Sequence, residues 1–163
     1  MEREWTVEES VVVAAPADAV YTALSDPRRM KEWSPEVFAV LAWKDGRRFV
    51  GFNRRGLYVW FTEGRVTSAV PGRNFAFRVT SFGIPVAVWG YRIEDIGDGT
   101  VRLAEYWEDL RRDHRGSRLV TVLGRVFTGV RAQNRADLNR AGMRATLHRI
   151  KTTIEAGTAL GRE

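Results

Sequence analysis

Between Asn134 and Ala156 the sequence reads NRADLNRAGMRATLHRIKTTIEA. Met143, Leu147, Ile150 and Ile154 recur at i, i+4, i+7 and i+11, one narrow stripe on a helix. Ala132, Ala136, Asn139 and Thr146 lie on or beside that stripe, small or weakly polar, so a neighbour can approach closely there. Arg144, His148, Lys151 and Glu155 fall on the opposite side, and Gly157 is the expected stop. Such a helix has to bury its stripe against something large, and the candidate is the strand-rich region before it.

That region is punctuated by tight turns. Residues 5–14 read as a strand, and Pro16 opens a short helix, PADAVYTALSD, that Asp26-Pro27 ends. Pro27 to Glu32 reads as a second short helix, and Trp33-Ser34-Pro35 as a loop. Six strands follow: Val37–Lys44, Arg47–Arg54, Leu57–Ala69, Asn74–Phe82, Pro85–Ile96 and Thr100–Leu110. Asp45-Gly46, Gly56, Pro71-Gly72, the break at Gly83 to Pro85, and Gly97-Asp98-Gly99 join them tightly enough for antiparallel pairing. A bulge is expected at Gly64.

Alternation predicts the inward faces. They carry Phe75, Phe77 and Val79, then Ala87, Trp89, Tyr91 and Ile93, then Val101, Leu103 and Trp107, which puts Glu105 inside. Trp60, Thr62 and Val66 are expected inward on the long strand. Arg47–Arg54 stays ambiguous between Phe49, Gly51, Asn53 and Val50, Phe52. The segment 117–131 is helical in pattern, its stripe formed by Leu119, Leu123, Val126, Phe127 and Val130. That stripe lies roughly 140° from the Met143 stripe on one straight helix. Either the chain bends near Gly129, or a second surface such as the partner of a homodimer covers residues 119–130.

The 163 residues suit a single domain spanning 1–163, with a real core. There is no cysteine, which excludes disulfides, thiolate metal sites and cysteine nucleophiles. The charged start and the short apolar runs give no signal peptide and no transmembrane segment, so a cytoplasmic protein is expected. The net charge of +6 is uneven. Residues 1–110 hold 14 basic and 16 acidic residues, residues 111–163 hold 12 and 4. A basic C-terminal third could meet an anionic partner, but no nucleic-acid motif accompanies it. His114 and His148 have no spaced carboxylate cluster, which argues against a metal, and nothing calls for a cofactor. No serine or threonine sits in a nucleophile motif.

The order strand, two short helices, six antiparallel strands, long helix is the helix-grip arrangement, an α+β fold. Several stretches resemble the START-like, or SRPBCC, superfamily, in its polyketide cyclase/dehydrase and lipid-transport branch. Val11 to Tyr21 resembles its first strand and Pro-started helix, and Ser25-Asp26-Pro27 with Lys31 to Pro35 its helix pair. Phe49-x-Gly51-x-Asn53 and Trp60 resemble the next strands, Gly99 to Asp109 the late strand, and Asn139 to Leu147 the final helix. The resemblance implies a seven-stranded curved antiparallel sheet gripping the C-terminal helix, with a cavity between them. Family members bind hydrophobic small molecules such as lipids, sterols, plant hormones or polyketides, and only some are enzymes.

The expected cavity residues are Trp33, Phe49, Asn53, Trp60, Phe77, Trp89, Tyr91, Glu105, Trp107 and Met143. Glu105 is the sharpest. An inward carboxylate needs a partner or a raised pKa. It either contacts a ligand or acts as an acid/base group with Tyr91, or it is satisfied by an Arg, by Asn53 or by Tyr91. Arg54-Arg55 and Arg111-Arg112 fall at strand ends near the expected mouth. The favoured expectation is binding of a lipid- or polyketide-like small molecule. The alternatives are a polyketide cyclase, aromatase or dehydratase, and an interaction module that uses the basic third.

Overall fold

The computed structural model describes residues 4–112, 122 and 134–160. Strand β1 (Thr6–Val13) leads through Pro16 into α1 (Ala17–Leu24). The Asp26 side chain then accepts from the Arg28 N–H and opens a 3-10 turn (Pro27–Arg29) that runs into α2 (Met30–Trp33). Six strands follow: β2 (Val37–Ala42), β3 (Arg48–Arg55), β4 (Tyr58–Val70), β5 (Asn74–Ser81), β6 (Ile84–Gly97) and β7 (Thr100–Asp109). A 3-10 turn (Leu110–Arg112) ends the strand region, and the long helix α3 (Arg135–Leu160) closes the chain.

All seven strands form one antiparallel sheet in the order β1-β7-β6-β5-β4-β3-β2. Consecutive hairpins make six of these strands a meander. The first strand returns to pair with the last, so α1 and α2 carry the chain from one sheet edge to the other. Glycines in the left-handed region at Gly46 and Gly56 close the β2–β3 and β3–β4 hairpins.

The burial pattern resolves the ambiguous strand. Phe49, Gly51 and Asn53 are buried on β3, while Val50 and Phe52 face outward. Trp60, Thr62 and Val66 point inward on β4 as expected. The bulge falls between Val66 and Ser68 rather than at Gly64. Gly64 instead leaves room for Phe49, whose ring occupies the space that a Cβ on residue 64 would need.

The helix stripe is the core. Leu147, Ile150 and Ile154 pack with Val20, Leu24, Trp33, Phe75 and Leu103, and Ile150 is completely buried. One expectation for this helix needs correction. It does not stop at Gly157 but runs to Leu160, because Gly157 keeps helical geometry and the Thr158 hydroxyl donates to the Ile154 carbonyl. The charged flank is tied to the sheet edge. Arg144 pairs with Glu9 at 3.1 Å, Lys151 donates to the Val12 carbonyl, and Glu155 accepts from the Ala14 N–H at 2.9 Å. That N–H and Lys151 hold the Glu155 carboxyl below the usual range. Polar contacts thus bind α3 along the free edge of β1. The predicted helix at 117–131, with its stripe and the bend at Gly129, lies outside the described residues, as does His114.

Candidate functional site

Side-chain size along α3 creates a hollow. Its C-terminal half presents Leu147, Ile150 and Ile154, which reach the sheet. Its N-terminal half presents Asn139, Gly142, Ala145 and Thr146, which do not. A second packed cluster, Val7, Ala87, Trp107, Ala136 and Met143, closes the space near the helix start. Between the two clusters lies a cavity of about 570 Å³, within the range of small-molecule sites.

All ten residues named from the sequence line it. Trp33 closes one end from α2. Phe49, Asn53 and Trp60 come from β3 and β4, Phe77 from β5, Trp89 and Tyr91 from β6, Glu105 and Trp107 from β7, and Met143 from α3. Phe49 and Phe77 meet edge to face with centroids 5.2 Å apart, so the aromatic wall is held in a fixed geometry.

Glu105 is the polar centre of this wall. Tyr91 lies directly opposite it in the β6–β7 ladder, and the Tyr91 hydroxyl donates to Glu105 Oε1 at 3.3 Å. Glu105 Oε2 has no hydrogen-bond partner among the described residues. Burial pushes the carboxyl up to about 8, against the opposing effect of the tyrosine hydrogen bond. Burial first, and then the neighbouring carboxyl, push the Tyr91 phenol well above its ordinary value. The pair therefore holds its protons at neutral pH. Of the partners weighed from the sequence, Tyr91 is the one found. Asn53 instead donates to the Gly51 carbonyl at 3.1 Å and to Thr62 Oγ1 at 3.3 Å.

Two further lining side chains bear a buried polar atom without a partner among the described residues, Trp33 Nε1 and Asn139 Nδ2. Such orphans are costly in a closed core. The alternation and stripe patterns placed Asn139 inside but gave no hint that its amide would be left over.

Arginines line the wall as well. Arg111 makes a bidentate pair with the buried Asp109, at 2.8 and 2.6 Å, and is itself partly buried. Arg135 pairs with Glu36 at 3.0 Å, and Arg55 approaches the same carboxylate at 4.0 Å. Arg54 is exposed, so only one arginine of that doublet reaches the cavity. Glu36 and Arg135 are not legible as site residues in the sequence, because they meet across 99 residues of chain. His148 is exposed. Among the described residues no three metal-ligating side chains converge, and no helix is long and apolar enough to cross a membrane.

Residues 4–155 match the family model described as polyketide cyclase / dehydrase and lipid transport. The chain belongs to that family. Its fold is the helix-grip fold of the START-like superfamily. Three solved structures illustrate the kinship. A polyketide-cyclase-like protein from Corynebacterium glutamicum is 28% identical, with a TM-score of 0.62 over 97% of this chain and 96% of that one. The Zhui aromatase/cyclase from Streptomyces sp. R1128 is 18% identical, with a TM-score of 0.61 over 92% and 93%. A START superfamily protein from Mycobacterium smegmatis is 14% identical, with a TM-score of 0.55 over 83% and 99%. The last two are likenesses of fold. No curated protein matched the sequence.

Proposed function

We propose that this polyketide cyclase/dehydrase family member binds a hydrophobic or aromatic small molecule, lipid- or polyketide-like, between the sheet and α3. The observation that carries this reading is the cavity of about 570 Å³ with its aromatic wall and the buried Glu105 carboxyl. Apolar ligand surface would replace water against Trp60, Phe77 and Trp89, at roughly 25 cal/mol per Å² buried. Trp33, Glu105 and Asn139 would fix the ligand's orientation through their unpartnered polar atoms. Because Glu105 is protonated near pH 7, an uncharged hydroxyl or carbonyl fits beside it better than a free carboxylate does.

Native mass spectrometry of freshly purified protein tests this. The expected result is a noncovalent adduct that denaturation releases, together with saturable binding of apolar fluorescent probes. Absence of both adduct and probe binding would sink the reading.

The Tyr91–Glu105 pair supports a second reading, a cyclase, aromatase or dehydratase. A carboxyl with a pKa of about 8 can give or take a proton from a bound poly-keto chain at neutral pH. Turnover of a poly-keto thioester by the native protein, abolished in Glu105→Gln, would select the enzyme. Equal product profiles with and without protein would leave binding alone.

A further inference from the structure

The outer face of the sheet carries charge and apolar surface that the fold does not use. Residues opposed in an antiparallel ladder share a face. Arg48 opposes Arg65, and Arg65 opposes Arg78. Three exposed guanidinium groups therefore stand in a row across β3, β4 and β5, on strands about 5 Å apart. Like charges placed this way repel. Arg48 lies over the exposed Trp43 ring, 5.4 Å from its centroid. Among the described residues no carboxylate pairs with Arg65 or Arg78. The acid on this face is Glu63, which accepts from Thr80.

Four residues along the same strands the face turns apolar. Phe52 opposes Phe61. Phe38 extends the row on one side at 6.4 Å and Phe82 on the other at 5.8 Å. Phe38 and Phe82 are 53% and 61% exposed, and the neighbouring Leu57 at the hairpin tip is fully exposed. Phe82 also has φ of 50°, a conformation that costs a bulky L residue. Strain and exposure at one aromatic residue are tolerated where something else gains from them.

An anionic bilayer answers both rows, with phosphates for the arginines and the acyl boundary for the phenylalanines. Single-stranded nucleic acid could stack on the rings, but it offers nothing to Leu41, Leu57 and Val59, which are exposed in the same patch. A second relation favours the bilayer. Val59, Phe61 and Phe82 also line the cavity, so the docking face and the cavity share a rim. We propose that the outer face of β2–β5 docks on an anionic lipid bilayer. In this arrangement Phe38, Phe61 and Phe82 enter the headgroup–acyl boundary and Arg48, Arg65 and Arg78 meet lipid phosphates. This surface stands whatever the cavity holds.

Cosedimentation of the full chain with vesicles tests it, using phosphatidylcholine alone and phosphatidylcholine mixed with phosphatidylglycerol. Binding is expected on the mixed vesicles and should weaken with salt. Arg65→Ala with Arg78→Ala should lower partitioning roughly thirtyfold, while thermal stability holds or rises as the repulsion is relieved. Phe82→Ser should reduce the binding that survives at high salt. The proposal is overturned if mixed vesicles do not bind the protein, or if these variants bind as well as the native chain. It is equally overturned if single-stranded RNA binds this face more tightly than vesicles do, or if the face proves buried in a dimer by light scattering.

Discussion

Tyr91 and Glu105 face each other across the β6–β7 ladder, hydroxyl to carboxyl at 3.3 Å, inside a largely aromatic wall. The pair makes stability depend on pH in a stated direction. The folded carboxyl titrates at about 8 and the reference value is 4.5. Below 4.5 both states hold the proton, and the contribution is fully present. Between 4.5 and about 8 the unfolded chain has lost its proton and the folded chain keeps it, so stability falls as pH rises. The slope approaches about 1.4 kcal/mol per pH unit for one proton. Denaturant melts across this window should show it in the native chain, and Glu105→Gln should flatten it. An unchanged slope in the variant would assign the effect to other groups.

Gly64 and Phe49 are a second matched pair. The Phe49 ring lies where a Cβ on residue 64 would sit, and Phe77 meets that ring edge to face. Gly64→Ala should therefore cost about 1–3 kcal/mol, the usual range for overpacking a filled core. Combining it with Phe49→Leu should cost less than the sum of the two changes. Strict additivity in a double-mutant cycle would show that the ring is free to move aside.

Asp109 and Arg111 form a part-buried bidentate bridge at the end of β7. Arg111→Met removes two charge-assisted bonds but leaves the Arg111 N–H donating to Asp109 Oδ1, so it should destabilise by about 1.5–3 kcal/mol. Adding Asp109→Asn should recover part of that loss. Chemical denaturation of the two single variants and the double variant measures the difference. A single variant as stable as the native chain would mean that the guanidinium adds nothing beyond the backbone N–H already on the carboxylate.

The strands and the gripping helix were legible because turn residues and periodicity are local signals. Glu105 was legible for the same reason, since alternation from Val101 and Leu103 carries it inward without any knowledge of a partner. What stayed hidden is whatever depends on register or on distance along the chain. Arg135 meets Glu36 from 99 residues away, and nothing in either neighbourhood announces it. Arg48, Arg65 and Arg78 read as ordinary surface residues until the β3–β4 and β4–β5 registers align them. Gly157 misled because a glycine ends a helix only when it adopts the left-handed conformation, and this one does not. Gly64 misled because a strand glycine can mark either a bulge or a close approach, and Phe49 made it the second.

Gly51 offers the most direct test of the cavity itself. It sits on the inner face of β3 and lines the hollow, and its φ is ordinary for a strand. An added Cβ would meet Thr62 Oγ1 at 3.5 Å and Asn53 Nδ2 at 4.0 Å, which is normal contact. A larger side chain at this position therefore grows into free volume rather than into neighbours. Gly51→Val should raise stability by up to about 1 kcal/mol, because valine suits a pleated strand better than glycine does. The same methyl groups should diminish the adduct seen by native mass spectrometry and weaken probe binding. Higher stability with undiminished binding would place the ligand elsewhere. Lower stability would mean that the strand glycine serves a backbone requirement instead of leaving room for a guest.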